Sequence, residues 1–234
     1  MTDNFVNLHN YTHYSFYQSL VGVDGLFDKA KELGQKSISI TDGGSMFALH
    51  DGLKASKKTG IKLIAGCEFN FVDDLQDPNV DNQRIRHLIL LAKNHTGYKN
   101  LLKLHRYAHD YNLLAYGRVF PRIDWKMLFD YSEGLICTTS SSTGILGQLI
   151  NTRNNEKAFK QAKRLKDIFG DNLGFEIQPH GLRRQANGYS DYVDQILTNN
   201  TLIKFGKELG VKVFPASEVR YLVDVCLILL LLNQ

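Results

Sequence analysis

Apolar residues recur at helical spacing in four stretches. Leu26, Phe27, Ala30 and Leu33 make one face, with Asp24 as its N-cap. Met46, Leu49 and Leu53 make a second behind Ser45, and Ala158, Ala162, Leu165 and Phe169 a third that stops at Gly170. Ile196, Ile203 and Leu209 are the inward residues of a fourth, which ends at Gly210. In three places a helix end is followed at once by a short apolar run: 31–36 before 37–41, 57–62 before 63–66, and 207–212 before 213–216. Gly34, Gly60 and Gly210 sit where a left-handed residue closes a helix. Strands are predicted at 5–9, 37–41, 62–66, 87–92, 134–138, 173–178 and 212–216. Their alternation with helices predicts an α/β architecture, either barrel-like or doubly wound. The Asp- and Asn-rich stretch 72–86 reads as a hairpin tip and 109–122 as a second loop, while Trp125 and Met127 read as core.

Composition narrows the class. With 234 residues, 43% hydrophobic and 22% charged, the chain is neither disordered, collagen-like nor a disulfide miniprotein. The formal charge of +4 permits contact with a polyanion without predicting one. Cys67, Cys137 and Cys226, three in number and without paired spacing, read as reduced thiols of a cytoplasmic protein. The first residues lack the basic and apolar stretches of a signal peptide, so none is expected, and the apolar run 225–232 is too short to span a bilayer. That run reads as a buried helix that continues, so the chain is expected to be a fragment of something longer.

In α/β barrels, function gathers at the C-terminal ends of strands. Those ends carry His9 with Tyr11, Asp42 with Gly43, Glu68, Ser140 and Ser141, Glu176 with Gln178 and His180, and Glu218 with Arg220. Such His, Asp and Glu residues suit hard or borderline divalent ions, and neighbouring ions suit phosphoester hydrolysis by activated water. The basic residues Lys157, Lys160, Lys163, Arg164 and Lys166, and the pair Arg183 and Arg184, read as solvated faces.

Specific segments then carry a resemblance. They are 5–9 with Tyr14 and Ser15, 30–34, the Ile-Thr-Asp-Gly-Gly-Ser-Met-Phe run at 40–47, and Gly60-Ile61-Lys62 with Gly66-Cys67-Glu68. The longest is His87-Leu-Ile-Leu-Leu-Ala-Lys-Asn94, followed by 131–136, Phe175-Glu-Ile-Gln-Pro-His-Gly181 and Glu218-Val-Arg-Tyr-Leu222. In this order they resemble the polymerase-and-histidinol-phosphatase (PHP) domain of bacterial DNA polymerase III alpha subunits. The resemblance implies a distorted seven-stranded (β/α)7 barrel of the metal-dependent phosphoesterase type, with a polynuclear metal site in active members.

Carried over residue by residue, that site is damaged. His9 matches the first histidine of an H-x-H motif, but Tyr11 stands at the second. Gln18 replaces a ligand Asp, Gly43 replaces the histidine of a T-D-H-G turn, and Ser141 replaces a cysteine. The final D-V-H reads Glu218-Val219-Arg220, which puts a permanent cation where an imidazole belongs. His9, Asp42, Glu68, His87 and Glu218 are the residual metal candidates, and one weakly held Zn, Mn or Mg ion on His9, Glu68 and His87 is the most they imply. Arg220 is expected to pair with Glu68 or Glu218.

The resemblance therefore implies the N-terminal PHP domain of a replicative polymerase with a vestigial site. Its partners would be the polymerase core of the same chain, a proofreading exonuclease subunit and DNA, with no membrane contact. Residues 1–222 would form the domain, and 223–234 would begin a helix toward the polymerase region. The alternative is a metal-dependent phosphoesterase or 3′–5′ exonuclease of the same family.

Overall fold

In the computed structural model, residues 5–76, 85–115, 118–140, 142–178 and 191–222 are described. The elements run α1 (Val23–Glu32), β1 (Ser37–Ile40), α2 (Leu49–Thr59), β2 (Lys62–Phe71), β3 (Arg86–Ala92) and α3 (His95–Asp110). They continue with β4 (Leu113–Ala115), β5 (Arg118–Phe120), β6 (Arg122–Ile123), α4 (Trp125–Tyr131), β7 (Leu135–Thr138) and α5 (Gly147–Asn151). The last are α6 (Asn155–Phe169), β8 (Leu173–Ile177), α7 (Asp191–Leu209) and β9 (Lys212–Pro215). A curled 7-stranded sheet runs β1-β2-β3-β7-β8-β9, with β6 beside β2, while β4 and β5 form a separate hairpin within the stretch read as a loop. Strand β3 is antiparallel to both β2 and β7, whereas β1–β2, β7–β8 and β8–β9 are parallel. That inversion is what distorts the barrel.

Residues 5–9 are not a strand, contrary to the alternation of their side chains. Polar side chains make the cross-links that a ladder would make. Asn7 Nδ2 donates to the Ser217 carbonyl at 2.7 Å and Ser217 N returns a bond to Asn7 Oδ1 at 3.0 Å. Asn10 Nδ2 reaches the Ser39 carbonyl at 3.1 Å. Backbone bonds from Thr41 N to the Asn10 carbonyl (2.9 Å) and from Tyr11 N to the Val219 carbonyl (3.0 Å) then bridge the sheet edge at β1 to the chain beyond β9. The barrel closes through a pegged loop, and that loop carries His9 and Tyr11.

The helix ends follow the expected chemistry in part. Gly34, Gly60 and Gly210 have φ of 71°, 78° and 63°, the left-handed conformation that glycine adopts without steric cost. Asp24 is not a cap but a first-turn residue behind Gly22, and Ser45 lies three residues short of the true cap of α2, Ala48. Leu33 and Leu53 are half exposed, whereas Leu26, Phe27, Ala30, Met46 and Leu49 are buried. In α6 the whole predicted stripe is buried, and Trp125 joins the core with Met127 packed against it. In α7 the phase differs: Leu202 and Phe205 face inward and Ile196 is 41% exposed. Polar groups occupy part of that inner face, as where Thr198 Oγ1 donates to Asn151 Oδ1 at 2.7 Å.

Helix α3 is capped by Asn94, whose Oδ1 accepts from Gly97 N at 2.9 Å. An Asn94→Ala variant should lose about 1 kcal/mol of unfolding free energy, read from its urea midpoint. An unchanged midpoint would mean that the cap bond adds nothing to stability.

Candidate functional site

The mouth of the barrel collects the ends of several strands. Strand β2 extends past its predicted end at residue 66 and presents Glu68, and its antiparallel partner β3 brings His87 back to the same rim. The turn after β1 bridges Gly43 to Glu68, with Glu68 N donating to the Asp42 carbonyl at 3.1 Å. Strand β8 adds Glu176, fully buried between Phe175 and Ile177 in sequence.

A directional hydrogen-bond chain runs through this mouth. His9 Nδ1 donates to Glu176 Oε1 at 2.7 Å, and His9 Nε2 meets the Tyr11 hydroxyl oxygen at 3.0 Å. The Tyr11 hydroxyl donates to Glu68 Oε2 at 2.6 Å. Ser140 Oγ donates to the other Glu68 oxygen at 3.1 Å, from a buried backbone at φ 43° that few side chains adopt. Gln178 Nε2 supports Glu176 at 3.0 Å. Burial alone would lower the His9 pKa. The Glu176 carboxylate at Nδ1, and Glu68 and Glu218 beyond it, outweigh burial and raise it from 6.5 to about 9. His9 is thus an imidazolium at neutral pH, with both ring nitrogens acting as donors. Burial and the Glu68 charge push the Tyr11 phenol well above its usual range, so it remains a neutral donor.

Asp42 is fully buried and takes no part in that chain. It accepts from Ser15 Oγ (2.6 Å), Thr12 N (2.6 Å) and Thr12 Oγ1 (2.8 Å), and so fixes the loop after His9. Burial lifts its pKa, against those three donors. His87 stands apart: its Nδ1 is shielded from solvent, lacks a hydrogen-bond partner and lies 3.9 Å from Glu68 Oε2.

Tyr11, Arg220, Gln18 and Gly43 pack as two pairs. The Arg220 guanidinium lies 4.4 Å from the Tyr11 ring centroid. Its Nε donates to Glu218 Oε1 at 2.8 Å and its Nη2 to the same oxygen. Its partner is therefore Glu218 and not Glu68. Burial would lower the Arg220 pKa, but Glu218 and the neighbouring groups raise it. Gln18 Oε1 lies 3.1 Å from where a Cβ on Gly43 would stand. Gln18 thus fills the space that a side chain at position 43 would need. Ser141 and His180 lie outside the described residues, as do Arg183 and Arg184.

This donor set does not fit a centre of two or three ions. Both nitrogens of His9 and both oxygens of Glu68 already bond protein groups, and Asp42 is saturated by loop donors. Among the described residues, no group of three or more His, Cys, Asp or Glu is arranged to hold a metal ion. Much of the basic face of α6 is paired or stacked: Lys157 reaches Asp73, which it shares with Arg86, Lys160 pairs with Glu156, Lys166 with Asp171, and Arg164 lies over Trp125.

Glu176 and Ser140 complete the mouth, although neither belongs to the residual metal set carried by the family motifs. A lone carboxylate between Phe175 and Ile177 was a signal for Glu176. Its place at a strand end marked Ser140 in the sequence, but its bond to Glu68 depends on a left-handed backbone that the sequence does not announce.

An Arg220→Ala variant should lose about 1–2 kcal/mol, because its stack on Tyr11 and its charged bonds to Glu218 are only partly buried. Urea unfolding checks this, and a wild-type midpoint would show that neither contact contributes.

Similarity to known proteins agrees with this frame. Over 233 residues the chain is 34% identical to DNA polymerase III subunit alpha of Aquifex aeolicus, covering 95% of this chain and 19% of that protein. It is 35% identical over 223 residues to the same subunit of Borreliella burgdorferi, covering 93% and 18%. The chain therefore spans about a fifth of the length of these relatives. The fold is shared with a Bifidobacterium adolescentis protein described as a metal-dependent phosphoesterase (TM-score 0.53, 11% identity, covering 94% of this chain and 89% of that one). It is also shared with an amidohydrolase of Chromobacterium violaceum (TM-score 0.55, 10% identity, 92% and 87%). The PHP domain pattern matches residues 7–180, and the chain belongs to the PHP domain family.

Proposed function

We propose that this chain is the N-terminal PHP domain of a replicative DNA polymerase III alpha subunit and that its barrel mouth serves structure rather than hydrolysis. The identity to alpha subunits across 93–95% of the chain supports the first part. The observation that carries the second is the Tyr11 hydroxyl, seated between His9 and Glu68 at 3.0 and 2.6 Å. A phenol there joins the two groups that a metal would otherwise join. In this reading the protein works in the cytoplasm. Its partners are the polymerase core of the same chain, a proofreading exonuclease subunit and DNA. Residues 1–222 form the domain; 223–234, which lead toward the polymerase core, lie outside the described residues.

One observation favours the alternative, a metal-dependent phosphoesterase or 3′–5′ exonuclease. The unpartnered His87 Nδ1 faces Glu68 and would suit a single Zn, Mn or Mg ion shared with His9. The test is hydrolysis of bis(p-nitrophenyl) phosphate and of an end-labelled oligonucleotide with added manganese or zinc. The expected result is no turnover beyond that of a Glu68→Gln variant. Metal-dependent turnover lost in both Glu68→Gln and His9→Ala would overturn the structural reading.

A further inference from the structure

A pair of histidines outside the residues of the mouth lies against the turn that follows Asp42. His105 and His109 are one helical turn apart on α3, and their ring centroids are 4.6 Å apart. His109 Nε2 lies 3.2 Å from the Gly44 carbonyl oxygen. His105 Nε2 is shielded from solvent and has no hydrogen-bond partner. Phe47, from the same turn, lies edge-on to His105 with centroids 6.2 Å apart. A buried nitrogen without a partner calls for an ion or a water to satisfy it.

We infer that His105, His109 and the Gly44 carbonyl form a site for one borderline divalent transition-metal ion of the zinc class. The i, i+4 spacing places two imidazoles on one helix face, the arrangement by which a helix offers a pair of nitrogens to zinc. Imidazole suits zinc, nickel and copper, and a carbonyl with one water completes a tetrahedral set. The metal would tie α3 to the turn that carries Asp42. The site shares no residue with the barrel mouth, so it stands whether or not the mouth is vestigial.

Calorimetric titration of zinc chloride into chelator-stripped protein tests the assignment. The expected result is one zinc per chain in the wild type and in a His87→Ala variant. Binding should weaken by about tenfold or more in His109→Ala and in His105→Gln, which keeps the bulk of the side chain and guards against misfolding. Circular dichroism verifies that each variant is folded. Zinc binding that survives both variants, is absent from the wild type or disappears only in His87→Ala overturns the site. Two zinc ions, one removed by each set of variants, would keep this site and count against the metal-free reading of the mouth.

Discussion

A His9→Ala variant is expected to lose about 3–5 kcal/mol of unfolding free energy at neutral pH. Glu176 is fully buried, and the 2.7 Å contact with Nδ1 is its charged partner. Gln178 and Thr138 also reach this carboxylate, at 3.0 and 3.4 Å, but neither is charged. Removal of the imidazolium therefore strands a carboxylate in a dry interior. Urea unfolding followed by circular dichroism measures the loss. A decrease below about 1 kcal/mol, the scale of an exposed pair, would show that Glu176 is served by other groups.

The second large effect is a fall in stability as pH rises. The folded pKa of His9, about 9, lies above its ordinary value of 6.5, so the native state binds this proton more tightly than the unfolded state does. The resulting stability is fully present below about pH 6.5 and is lost as pH climbs through about 9. A difference of this size corresponds to about 3 kcal/mol, with a slope approaching 1.4 kcal/mol per pH unit inside the window. Unfolding free energies at pH 6 and pH 9 should differ by that amount in the wild type, and the difference should vanish in His9→Gln. Equal wild-type values at the two pH values would mean that His9 is neutral in the folded protein.

Local signals in the sequence translated into structure where one physical rule acted alone. The α6 stripe is buried as a unit, and the glycines that close α1, α2 and α7 are left-handed. Rules failed where a polar side chain replaced a backbone or apolar contact. Residues 5–9 alternate like a strand, yet Asn7 and Asn10 bond the flanking chain with their side chains. The inner face of α7 includes Gln195 and Thr198, which shifts the phase that Ile196 and Ile203 suggested. At the mouth, the motifs pointed to His9, Glu68 and His87, and the fold brings them together through the antiparallel return of β3. The partner of Arg220 was not legible, because Glu68 and Glu218 are equally plausible in sequence and only the fold selects between them.

The two packed pairs at the mouth also make its positions interdependent. A Cβ at position 43 would stand 3.1 Å from Gln18 Oε1, so any side chain there requires Gln18 to give way. A histidine at position 11 would put a smaller ring under Arg220 in place of the phenol. A metal ligand introduced at either position alone therefore meets a neighbour packed against the present residue, and each position is best changed together with its companion.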